Sequence, residues 1–77
     1  MVRYFFDMRY DDDLAPDEEG LVLPSVEAAQ DEAAISLAEM ARDVVQNDRC
    51  RRMAIEVRTL DTPVLEVVFQ WHVQRKL

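Results

Sequence analysis

Apolar residues alternate along the first stretch of this chain, then recur at every third or fourth position, then alternate again. Those changes of period place its elements. From Arg3 to Tyr10, the residues Tyr4, Phe6, Met8 and Tyr10 fall on one face and Arg3, Phe5, Asp7 and Arg9 on the other, the pattern of a half-buried strand. Asp11-Asp12-Asp13 interrupts it, Ala15-Pro16 turns the chain, and after Gly20 the run Leu21-Val22-Leu23 reads as a brief second strand pairing back on the first.

Pro24 closes that strand, and Ser25 stands where a helix N-cap belongs, with Glu27 placed to favour the positive end of the helix dipole. Val26, Ala29, Ala33, Leu37, Met40 and Val44 form one apolar stripe, so a helix is expected to run to Gln46 or Asn47, where Asn tolerates a left-handed cap. Met53, Ile55 and Val57 then alternate with Ala54, Glu56 and Arg58. Beyond Leu60-Asp61-Thr62-Pro63 a further alternation runs through Leu65, Val67, Phe69, Trp71 and Val73. The order β-β-α-β-β packs most simply as an α+β two-layer sandwich, an antiparallel sheet with one helix packed on one face. Ala33, Leu37 and Met40 are expected to meet Phe6, Ile55, Val67 and Phe69.

A chain of 77 residues allows one domain, residues 1–77, with no repeat. So short a chain buries only about 60% of the surface that its unfolded form exposes, which a partner would relieve. The net charge of −7 disfavours nucleic acid, because phosphate binding needs clustered cations. No apolar run approaches the ~20 residues of a membrane helix, so no membrane partner is expected. Met1-Val2-Arg3-Tyr4 passes directly into strand-like residues without a signal-peptide pattern, and the single Cys50 forms no intrachain disulfide, so a cytoplasmic setting is the expectation. Charge is unevenly divided. Asp7, Asp11, Asp12, Asp13, Asp17, Glu18 and Glu19 crowd residues 7–19 against Arg9 alone, while Arg49, Arg51, Arg52 and Arg58 outnumber Glu56 in residues 49–58.

None of these groups assembles chemistry. Counted as a calcium loop from Asp11, the sixth position is Pro16 where glycine is needed and the twelfth is Val22 where a bidentate Glu is needed. Asp17-Glu18-Glu19 lies in a polar turn that would keep all three ionised, unsuited to acid–base catalysis. Cys50, among arginines, gains thiolate character if exposed, but its sole candidate base is His72, which reads as an exposed strand histidine. No catalytic, cofactor or metal site is therefore expected, and an enzyme built on Cys50 and His72 is the weakest reading. Apolar side chains left outside the core are more informative. Phe5, Val64 and Val68 fall on the sheet face away from the helix and Ile35 opposite the helix stripe, a candidate interface. A homodimer or another partner-bound form is expected on that face or on an unpaired strand edge.

The ordered set Arg3-Tyr4-Phe5-Phe6-Asp7, Asp17-Glu18-Glu19-Gly20 and Leu23-Pro24-Ser25-Val26-Glu27-Ala28-Ala29 resembles a family of small bacterial proteins, abundant in rhizobium-like soil bacteria and classed as a domain of unknown function. The likeness continues through the arginine cluster to Ile55-Glu56-Val57. It departs from the family pattern at Asp11-Asp12-Asp13, which lacks a turn glycine, and at Leu60-Asp61-Thr62-Pro63, which replaces a glycine-containing turn. The resemblance implies a fold and a cytosolic setting and carries no catalytic residue. The aromatic first strand, Glu-Gly turn, Pro and Ala-rich helix are also similar to the HicB-like antitoxins, acidic domains that neutralise a basic RNA-cleaving toxin. The expected function is thus a small acidic, non-enzymatic interaction or accessory protein, with an antitoxin-like binder of a basic partner as the alternative.

Overall fold

The structure, a computed structural model, describes residues 1–47 and 51–76. Among these, five strands form one antiparallel sheet and a single helix packs on it. Strand β1 (Val2–Tyr10) is central. On one side it pairs with β4 (Arg52–Arg58), which in turn pairs with β5 (Pro63–Gln70). Its other side is shared by two short strands, β2 (Asp13–Ala15) along its C-terminal end and β3 (Leu21–Leu23) along its N-terminal end.

The α+β two-layer architecture agrees with the sequence pattern, with one addition. Strand β2 is fully exposed and held to β1 through backbone pairing, so it has no hydrophobic alternation to announce it. The reversal into it is made by Asp11 and Asp12, with Asp11 at φ 52°, a left-handed conformation that Asp tolerates better than most residues. Asp11 also closes the sheet end. Its N–H donates to the Arg52 carbonyl at 2.8 Å, and its Oδ1 accepts from the N–H groups of Arg51 and Arg52 at 3.3 and 3.2 Å.

Helix α1 (Val26–Asn47) starts as its sequence requires, with Ser25 Oγ accepting from the Ala28 N–H at 3.1 Å. Ala29, Ala33, Leu37 and Ala41 are buried against Tyr4, Met53, Ile55 and Val57. Three of those four helix residues are alanines, so the backbone comes close to the sheet and Leu37 supplies most of the helix's buried volume. Met40 and Val44 flank the stripe, whereas Val26 is exposed. Phe6, Val67 and Phe69 pack at the margin of the same core, as their alternation predicts. The helix lies over β4 and β5 and touches β3, leaving β1 less covered.

Replacing Leu37 by Ala should cost about 2–5 kcal/mol, a large part of the ~4–12 kcal/mol available to a domain of this size. Chemical denaturation of Leu37→Ala checks this packing; an unchanged midpoint would contradict it.

Candidate functional site

The acidic segment builds one well-defined arrangement, and it is internal. Strand β1 pairs with β3 through Tyr4 and with β2 from Met8 onward, which leaves a gap along that edge. Phe6 lies in the gap with its N–H pointing outward. Asp17 fills it, Oδ2 accepting from the Phe6 N–H at 3.1 Å while Oδ1 accepts from Glu19 and Gly20 N–H at 3.0 and 3.2 Å. Asp7, only 7% exposed, accepts from the Asp17 N–H at 2.9 Å and receives the Arg58 guanidinium through both oxygens, at 2.8 and 3.3 Å. Arg58 also donates to the carbonyls of Asp17 and Leu60, so one side chain ties β1, the acidic loop and the β4–β5 turn together.

Gly20 completes the loop. Its φ is +71°, and a Cβ there would stand 2.7 Å from the Tyr4 carbonyl oxygen. The close approach and the left-handed backbone both require glycine. Asp7 and Asp17 are thus committed to structure, and the loop from Asp17 to Gly20 is bonded to β1. Among the described residues no group of three or more His, Cys, Asp or Glu stands close enough to hold a metal ion.

The open face of the sheet carries a charge ladder. Glu56 and Glu66 are direct cross-strand neighbours, a repulsive pair relieved by Arg9 at 2.7 Å from Glu56 and by Arg52 at 3.7 Å from Glu66. The apolar candidates lie around that ladder in different places. Phe5 lies on this face but is only 8% exposed, because the Arg58 guanidinium sits 4.6 Å above its ring and the Gly20 turn closes beside it. Its expected exposure is corrected. Val64 does not join the open face either. The register shift at Val57/Arg58 makes it an extra residue opposite β4 and turns its side chain toward the core. Val68, 45% exposed, is on the open face, and Ile35, 59% exposed, is on the solvent side of α1. These four do not form one patch.

The other singled-out residues fall elsewhere. His72 is exposed beyond the end of β5. Cys50 and Arg49 lie outside the described residues. Trp71 continues the alternation but not the strand: its N–H donates to the Arg51 carbonyl at 3.1 Å and the Arg51 guanidinium sits 4.7 Å over its ring.

Open grooves are lined by described residues at two places. One of about 700 Å³ at the β4–β5 turn is lined by Asp7, Arg58, Leu60 and Val64, and one of about 590 Å³ between α1 and the acidic loop by Phe6, Met8, Glu32 and Ser36. Their Asp7 and Arg58 already have partners. The remaining unsatisfied feature is an edge: among the described residues β5 pairs only with β4, leaving an eight-residue strand with one bare side. Alternation revealed this strand but not its place at the edge, since strand order has no local signal.

A family model for a domain of unknown function, DUF6894, matches residues 3–70. The chain belongs to the DUF6894 family. The DUF6894 match ends at Gln70, the last residue of β5, so the whole sheet and helix lie within it apart from Val2. No curated protein and no solved structure matches the chain.

The loop arrangement sets an acid limit on stability. Burial by itself would raise the Asp17 carboxyl, but the amides of Phe6, Glu19 and Gly20, with the charge of Arg58, outweigh it and hold the group below its ordinary value of 3.8. A carboxyl lowered by folding contributes stability that is complete above its ordinary value and is lost as pH falls through the folded value. Thermal melts of wild type should therefore drop below about pH 4. Asp17→Asn should flatten that acid slope, and an identical slope in the two proteins would contradict the role of Asp17.

Proposed function

We propose that this DUF6894 chain is a non-enzymatic interaction module, a small acidic protein of cytoplasmic setting that acts by presenting a sheet edge to a protein partner. The observation that carries this reading is β5: Glu66 and Val68 are exposed, Val67 and Phe69 are half-buried, and among the described residues the outer side of the strand is unpaired. A bare strand of this length is a template for strand addition, in which main-chain bonds supply affinity and alternate side chains supply selectivity. The acidic groups nearest the loop are engaged by backbone amides and Arg58, which supports reading them as scaffold.

A basic protein partner, as in an antitoxin, is the second reading. It is favoured by the exposed carboxylates of Asp12, Asp13, Glu18 and Glu19 and by the net charge of −7.

A photo-crosslinking amino acid at Glu66, compared with one at the exposed Glu39 of α1, tests the module reading in the native cell. Position 66 should give a discrete adduct and position 39 none. Absence of adducts at both positions would overturn the reading, and the adduct's mass separates a second copy from another protein.

A further inference from the structure

We infer that the partner of β5 is a second copy of this chain, docked antiparallel on the same strand so that two sheets become one. The inference rests on the interaction-module reading and names its partner. Main-chain directions show which groups are available. Asp11 bonds to the Arg52 carbonyl on the β1 side of β4, and Trp71 bonds to the Arg51 carbonyl on the β5 side. Because N–H and C=O directions alternate along a strand, Met53, Ile55 and Val57 bond toward β5, where they face Phe69, Val67 and Leu65. Glu66, Val68 and Gln70 therefore aim their N–H and C=O groups outward, with nothing opposite among the described residues.

A two-fold axis restricts how two such edges meet, since it must oppose outward-pointing residues with outward-pointing residues. Centring it on Glu66 would set two carboxylates face to face, which is destabilising. Moving the axis one residue, to Val67, sets Glu66 opposite Val68 of the second copy. On the helix face it sets Val67 against its own copy and Leu65 against Phe69 of the second copy. That register uses the regular part of β5, between the bulge at Val64 and the strand end at Gln70, and it extends the apolar layer under the helices.

The helix flank above this edge admits a second helix. Glu32 and Ser36 face the groove over β1, so Ala34 and Ala38, a half-turn around the helix from them, lie on the flank toward β5, and both are exposed. A two-fold perpendicular to the sheet brings the two helices to the same face, and the alanines leave them room. The wetter open face, with Arg9, Glu56, Glu66 and Arg52, stays toward solvent.

Light scattering of the purified full chain across the micromolar range tests this, with Val68→Pro and Val68→Glu beside wild type. Proline at position 68 removes an outward N–H without touching the ladder to β4, so an edge strand tolerates it; the glutamate variant, which sets like charges opposite Glu66 of the second copy, guards against a misfolded proline variant. The expected result is a wild-type dimer, weakened roughly tenfold or more in both variants, with circular dichroism unchanged. A wild-type monomer at every concentration overturns the inference. If position 66 still crosslinks to another protein in the cell, the module reading stands without it; if it crosslinks to nothing, both fall. A wild-type dimer that both folded variants retain also overturns it, because the contact is then not this edge.

Discussion

One backbone amide in a gap organises this domain. Strand β1 is flanked by two short strands rather than one long one, and the N–H of Phe6 falls between them. A polar group left without a partner in a partly buried position costs of order 1–3 kcal/mol. Asp17 removes that cost by standing in for the missing strand, and Asp7 and Arg58 hold Asp17 in place. The loop is then drawn over Phe5, Gly20 becomes the sole residue type that fits its position, and Arg58 fixes the far turn between β4 and β5.

The two faces of the sheet follow different physics as a result. The helix side is sealed by alanines and one leucine over Met53, Ile55 and Val57. Among the described residues no element covers the other side, which carries paired charges, with Arg58 shielding the Phe5 ring that alternation places there. A charged, solvated face is the ordinary solution for an antiparallel sheet with a single helix layer. The unsatisfied groups lie instead on the outer edge of β5, which has no neighbour among the described residues.

The helix, its Ser25 cap and the three longer strands were legible because each rests on a local pattern of period or capping chemistry. Strand β2 was not, since Asp13-Leu14-Ala15 has no alternation and is held by its backbone alone. Phe5 and Val64 were placed correctly on their strands but wrongly for exposure: a guanidinium 53 positions later covers one, and a one-residue bulge turns the other. The roles of Asp7 and Asp17 were illegible for the same reason. Arg58, which holds Asp7, and the Phe6 amide that Asp17 accepts from are remote in sequence, and a run of carboxylates looks alike whether solvated or bonded. The single glycine directly after Asp17-Glu18-Glu19 was the one local hint of a constrained loop.

Family membership in DUF6894 covers this whole assembly from Arg3 to Gln70 without attaching an activity to it. The architecture therefore depends on the acidic loop being structural. Amide-resolved hydrogen exchange of Phe6, in wild type and in Asp17→Ala, measures that directly. The Phe6 amide should be protected in wild type and lose that protection in the variant, while Ile55, in the middle of β4, stays protected. Equal Phe6 protection in both proteins would contradict it.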